Sequence, residues 1–151
     1  MTISNLNIKI KKLAPNATFT KGSKDAVGYD LTCVDAHYKD GIGYLHLGVA
    51  VEPPSDGWFQ LVPRSSFPKT GWIMANGVGI IDPDYRGEWL MPIFRIGKVF
   101  NCLCIEDFIN TRVAQAILML ICDPFKHLQV LEVEDLGKTE RGDGGFGSTG
   151  Q

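Results

Sequence analysis

The chain contains no C-x-x-C pair, and its four cysteines (Cys33, Cys102, Cys104 and Cys122) stand without histidines at ligand spacing. That absence argues against a zinc site or a redox dithiol. Long apolar runs are also missing, none approaching the roughly 20 residues that span a bilayer, so no membrane segment is expected. The opening residues, MTISNLNIKIKKL, place their lysines after the first apolar residues and hold no continuous apolar stretch, unlike a secretory signal. Export is therefore not expected, and reduced cysteines used as small hydrophobes suit a cytoplasmic setting. An excess of positive charge is absent too: 15 Lys and Arg against 17 Asp and Glu leave a net charge of −2. No general attraction to nucleic acid or to acidic membranes follows, and any bound anion must be held by a local cluster.

What is present is one domain's worth of chain, 151 residues of which 44% are hydrophobic, cut into short apolar segments by Gly, Pro, Asp and Asn. YLHLGVAVE alternates, with Leu45, Leu47, Val49 and Val51 on one face. LNIKIKK also alternates, and GWFQLVP, WIMANGVGII, EWLMPIFRI and LQVLEVE follow. Repeated short strands with Gly/Pro turns predict an all-β sandwich, barrel or jelly roll. In NCLCI, alternation predicts a strand with Cys102 and Cys104 on one face. Ser65 and Ser66 in PRSSFPKTG can cap one short helical turn, with Pro68 falling in its first turn. VAQAILMLI has no Gly or Pro and reads as a buried strand, with a helix as the alternative. From about Gly137 the composition shifts to a glycine-rich tail, which holds too little apolar mass to order itself.

Four stretches concentrate chemistry. NGVGIIDPDYRGEW has two apolar arms flanking DPD, which predicts a hairpin. It gathers an amide (Asn76), carboxylates (Asp82, Asp84), a phenol (Tyr85) and a guanidinium (Arg86), and Gly77 and Gly79 allow close backbone approach. PRSS sets Arg64 and two hydroxyls at a helical start, where free N–H groups favour an anion. DAVGYDL places Asp30 at the start of a strand. The tail RGDGGFGSTGQ carries Arg141, Phe146, Ser148 and Thr149 among five glycines, a composition suited to a phosphate nest with an aromatic face for a base.

In order, DAVGYDL, PRSS, NGVGIIDPDYRGE, TRVAQAI and RGDGGFGSTG resemble the five motifs of the trimeric dUTP pyrophosphatases (dUTPases), from about Asp25 to Gly150. Two departures stand out. PRSS replaces the commoner PRSG, and NTR stands where the fourth motif usually opens with Gly-Asp before its arginine, after a longer segment, VFNCLCIEDFI. The resemblance implies a jelly-roll-like β-barrel or sandwich subunit with at most one short helix, a β-rich domain over residues 1–137 and a flexible arm over 138–151. It also implies a homotrimer whose sites are built from all three chains, each arm closing a neighbour's site.

The implied reaction is dUTP plus water giving dUMP and pyrophosphate, limiting uracil incorporation into DNA and supplying dUMP for thymidylate synthesis. Asp82 would orient and deprotonate the attacking water, with Asp84 as the nearby alternative. A free aspartate is a weak base, so such a residue acts largely through geometry. Asp30 would reach a magnesium ion through its water shell. Asn76, Gly79 and Ile81 would read uracil, and Tyr85 would pack beneath the sugar. Arg64, Ser65, Ser66 and Gln115 would hold phosphates. Phe146 would stack on the base while Arg141, Gly147, Ser148 and Thr149 close the site. Arg86 and Arg112 stay open between phosphate contact and structural ion pairing, and His37, His46 and His127 receive no role. Two other readings remain: a deoxycytidine triphosphate deaminase of the same fold, and a phage-type regulator that signals nucleotide status to a protein partner. The setting is then cytoplasmic, or the interior of a host cell for a viral protein.

Overall fold

The computed structural model describes residues 7–54, 57–97 and 103–120. Eleven strands account for about half of them: β1 (Lys9–Lys12), β2 (Thr20–Lys21), β3 (Tyr29–Thr32), β4 (Asp35–Lys39), β5 (Ile42–His46), β6 (Val49–Glu52), β7 (Gly57–Pro63), β8 (Trp72–Met74), β9 (Gly79–Ile81), β10 (Leu90–Arg95) and β11 (Arg112–Leu120). They form a two-stranded sheet β1-β6, a four-stranded sheet β4-β5-β10-β8 and a five-stranded sheet β2-β3-β11-β7-β9. All named pairs are antiparallel. Among the described residues no helix is long and apolar enough to cross a membrane. The architecture is all-β, as the strand pattern predicts, and jelly-roll-like, as the resemblance implies.

Alternation explains the strands. β5 and β7 bury every second residue, the mark of a strand with one face on a core. Leu45, Leu47, Val49 and Val51 do share one buried face, although Leu47 and Gly48 divide the segment into two strands in different sheets. Residues 113–120 of VAQAILMLI lie within β11, paired with both β3 and β7, and Ile121 lies outside the described residues. The central position gives it neighbours on both edges, and this settles the strand over the helix. β1 alternates in sequence, yet Ile10 is 42% exposed, so the pattern there finds no buried face.

The core joins the inner faces of the two larger sheets: Leu31, Phe59, Leu61 and Val113 on one side meet Leu45, Trp72, Met91 and Ile93 on the other. Aromatic rings knit it together. Phe59 stands edge-on to Phe19 at 5.8 Å and 5.4 Å from Trp89, and Phe108 packs on Phe67 at 5.3 Å. Trp72 donates its indole N–H to the Leu103 carbonyl at 2.9 Å.

Three local expectations are corrected. The arms of NGVGIIDPDYRGEW do not pair as a hairpin, because β9 pairs with β7 while β10 pairs with β5 and β8 in the other sheet. Residues 82–89 are thus a crossing between sheets. Cys104 is not on a strand: it precedes a 3-10 turn, Ile105–Phe108, where the Asp107 carboxylate accepts its N–H at 2.7 Å. The PRSS turn forms a second 3-10 turn, Phe67–Thr70, with Ser66 at its start but no side-chain cap. The expected strand LQVLEVE, the tail, Cys102, Cys122 and His127 lie outside the described residues.

Burial pushes the Cys33 thiol up to about 12, despite a hydrogen bond to the Asp35 carbonyl that acts the other way. The folded chain keeps this proton where the unfolded chain loses it. Cys33 therefore contributes fully below the ordinary thiol range, and its contribution fades as pH rises toward the shifted value. With Cys102 and Cys122 replaced by serine, a thiol reagent at about pH 8 should modify exposed Cys104 quickly and Cys33 only on unfolding. Equal rates in the folded protein would show that the burial is not maintained. Phe59→Ala, at a position with 0% exposure, should cost about 3–5 kcal/mol in denaturant unfolding.

Candidate active site

Three of the motif segments converge on Asp30. This residue sits on β3 with 3% exposure, and its carboxylate accepts from Arg112 Nη1 at 3.0 Å and from Gln115 Nε2 at 2.9 Å. Arg64 Nε stands 3.6 Å from Oδ1. One acid and two guanidiniums leave a net positive cluster, half open to solvent on its arginine side, which is suited to receive an anion.

The geometry depends on an irregularity in β11. Arg112 and Gln115 are three residues apart, and in a regular strand they would point to opposite faces. Arg112 pairs with Thr32 and Ala114 with Leu31, so the register shifts by one between them and Gln115 falls opposite Asp30. The bulge brings both side chains to one face. Gly28 makes room beside them, since a Cβ there would lie 3.1 Å from the Gln115 Cβ. The unusual NTR opening is accommodated by Asn110, which takes φ +67°. Asparagine tolerates this left-handed conformation better than most residues. Its N–H donates to the Cys33 carbonyl at 2.7 Å, and its side-chain oxygen accepts from Asn16 at 2.6 Å.

A second group lies on the crossing between sheets. Asp82, exposed, follows β9 and lines a shallow pocket of about 230 Å³ with Ile81, Tyr85, Glu88 and Trp89. The Asp82 carbonyl accepts the Tyr85 N–H at 3.1 Å, and the Tyr85 hydroxyl donates to the Glu88 carbonyl at 2.9 Å. A Cβ at Gly87 would collide with the Tyr85 ring, so only glycine lets the ring lie there. Arg86 donates to the carbonyls of Pro83 and Tyr85 at 2.6 and 3.1 Å, a structural role within the turn. Asp84 is exposed in the same turn. Asn76 is exposed between β8 and β9, and Gly79 and Ile81 lie on β9, an edge strand of the five-stranded sheet. Ser65 and Ser66 are exposed at the 3-10 turn, and Ser66 shares another hollow, also about 230 Å³, with Arg112.

Among the described residues no hydrogen bond or ion pair joins Asp82 to the Asp30 cluster, so one chain presents its candidate residues as separate groups. Arg141, Phe146, Gly147, Ser148 and Thr149 lie outside the described residues. For a metal, no three His, Cys, Asp or Glu side chains converge among the described residues, which rules against a cage of direct protein ligands there. Outer-sphere contact does fit. Arg112 and Gln115 occupy one acceptor position on each Asp30 oxygen, leaving others for a metal-bound water.

Sequence reasoning passed over three residues beside the pocket. Trp89 is fully buried, and its indole N–H has no partner among the described residues. Glu88 accepts from the Gly48 N–H at 3.2 Å and contacts His46 Nδ1 at 3.0 Å. Nothing in the local spacing signals these links, because His46 and Glu88 are 42 positions apart.

Comparison with known proteins identifies the family. A family model described as dUTPase matches residues 15–150. The chain is 38% identical over 152 aligned residues to the deoxyuridine 5'-triphosphate nucleotidohydrolase of Yarrowia lipolytica, covering 96% of this chain and 90% of that protein. It is 37% identical to the protein of that name from Escherichia phage T5, covering 95% of this chain and 98% of that protein. Among solved structures, the dUTPase of Streptococcus mutans superposes with a TM-score of 0.63 at 23% identity, covering 75% of this chain and 95% of that one, a likeness of fold. The chain belongs to the dUTPase family, the dUTP-hydrolysing enzymes.

Proposed function

We propose that this enzyme converts dUTP and water to dUMP and pyrophosphate, with Asp82 as general base. The observation that carries the reading is the Asp30 cluster, which unites Arg64 of one motif with Arg112 and Gln115 of another in one net-positive, anion-ready group. The Asp82 carboxylate takes a proton from water as its oxygen bonds to the α-phosphorus. The bond from that phosphorus to the bridging oxygen breaks, and pyrophosphate leaves with the electron pair. Arg64, Ser65, Ser66 and Gln115 hold phosphate oxygens in line, so catalysis is chiefly positioning and charge stabilisation. Magnesium, when bound to the nucleotide, neutralises phosphate charge, and Asp30 would contact it through water.

Uracil is read at β9. As an edge strand it pairs only with β7 among the described residues, so its other edge offers backbone donors and acceptors to a base. Asn76, Gly79 and Ile81 frame that edge, and a close fit there excludes a 5-methyl group. The Tyr85 ring, 44% exposed, offers a face for deoxyribose that leaves no room for a 2'-hydroxyl. The separation of Asp82 from the Asp30 cluster favours a homotrimer in which sites combine residues of different chains. The arm, residues 138–151, then closes a neighbour's site, with Phe146 on the base and Arg141, Gly147, Ser148 and Thr149 toward the phosphates. The resulting activity limits uracil in DNA and supplies dUMP.

A panel of dUTP, dTTP, dCTP and UTP, assayed for pyrophosphate release with magnesium and with a chelator, should give rapid release from dUTP alone, reduced by the chelator. Tight dUTP binding without release would move the protein to the regulator class. Asp82→Asn should keep dUTP binding and lose about 10²–10⁴-fold in turnover; normal turnover would remove Asp82 as the base. Truncation before Arg141 should leave a folded trimer with little activity, and loss of the trimer would make the arm a structural element instead.

A further inference from the structure

Beside the Asp82 pocket, two histidines and a glutamate form a continuous hydrogen-bonded line. His37 Nδ1 lies 2.8 Å from His46 Nε2, and His46 Nδ1 lies 3.0 Å from Glu88 Oε2. The line crosses three segments: His37 on β4, His46 on neighbouring β5, and Glu88 at the end of the crossing that carries Asp82 and Tyr85. Its direction follows from the acceptor count. A carboxylate only accepts, so His46 Nδ1 carries a proton. The Nε2 of a neutral His46 is then an acceptor, and His37 Nδ1 donates to it. His37 is itself held by stacking on Tyr44, at 5.2 Å and 13° between planes.

Glu88 is consequently fixed from both sides. One carboxylate oxygen accepts from the Gly48 N–H and the other from His46, while its backbone carbonyl accepts the Tyr85 hydroxyl. Tyr85 in turn closes the turn onto the Asp82 carbonyl. The path from His46 to Asp82 thus runs through four residues, His46, Glu88, Tyr85 and Asp82, each hydrogen-bonded to the next. The partners are only partly buried, at 23% for the His46 side chain and 30% for Glu88. Such a pair adds little to global stability. Its effect is directional: it fixes which way Glu88 faces near the end of the crossing.

We infer that His46, backed by His37, is a positioning residue for dUTP hydrolysis, holding Glu88 and through it the turn that presents Asp82 and Tyr85. The inference rests on the assignment of Asp82 as the base. Misplacement of a reacting group by about 1 Å can cost about 10²-fold in rate without altering most of the binding contacts.

The test is steady-state kinetics on the full chain, together with the affinity for a non-hydrolysable imido analogue of dUTP. His46→Leu should lower kcat about tenfold or more while KM and analogue affinity stay within about twofold. His46→Asn, whose amide nitrogen lies about as far along the side chain as Nδ1, should restore most of kcat. Glu88→Gln keeps the size but weakens the acceptor, and it should reproduce the loss; it carries the test if His46→Leu does not fold. Unchanged kcat in His46→Leu beside an inactive Asp82→Asn would overturn the positioning role and leave the base assignment standing. A loss that His46→Asn fails to restore would assign the effect to packing and overturn it as well. A wild-type chain without dUTP turnover would remove the functional reading, and this inference with it.

Discussion

A carboxylate with 3% exposure cannot remain without partners, and the Asp30 carboxylate organises everything around it. Leaving a buried charge uncompensated costs several kcal/mol, so the partners are held as firmly as the acid is buried. Those partners come from the end of β7 and from β11, and they fix the relation of β3, β11 and β7 at one end of the five-stranded sheet. The smaller features serve the same contact. Gly28 clears space for Gln115, and Thr18 ties the strand beneath it by donating to the Asp30 carbonyl at 3.2 Å and accepting from the Thr32 hydroxyl at 2.8 Å. Stability and anion affinity are therefore coupled here: a phosphate that draws an arginine away from Asp30 must replace what the carboxylate loses.

The second group works by a different principle. Asp82 is exposed and, among the described residues, has no comparable anchor of its own, so its position is inherited from both ends of its segment. β9 fixes one end by pairing with β7, and the Glu88 contacts and the backbone bonds between Trp89, Leu47 and Val49 fix the other. An exposed reactive group on a tethered crossing remains accessible to substrate and still has a defined direction.

Alternation made most of the fold legible, because GWFQLVP and YLHLGVAVE bury one face and a strand's period of two is visible in a single sequence. VAQAILMLI was ambiguous for a physical reason. A strand covered on both faces carries a continuous apolar run, as residues 113–119 of β11 do, all buried or half-buried, and a buried helix would also show one. The predicted hairpin at DPD failed because turn residues report a change of direction and not the partner to which the strand turns. Cys104 misled in the same way, since alternation over five residues cannot distinguish a strand from a capped 3-10 turn. At the site, the motif residues on Asp30 were legible through resemblance, whereas the His37–His46–Glu88 line depends on contacts between distant segments and on the pairing of β4 with β5.

The bulge at the start of β11 also sets what the gene can change. Between Arg112 and Gln115 the number of residues matters more than their identity, because one insertion or deletion would turn an arginine or a glutamine to the wrong side of the sheet. Upstream, the chain reaches β11 through the left-handed turn at Asn110, and its preceding length bears no parity relation to the site. Between Arg112 and Gln115 the constraint is thus on residue count, whereas upstream it is on single anchors, the buried Ile105 and Phe108 side chains and the Asn110 N–H on the Cys33 carbonyl.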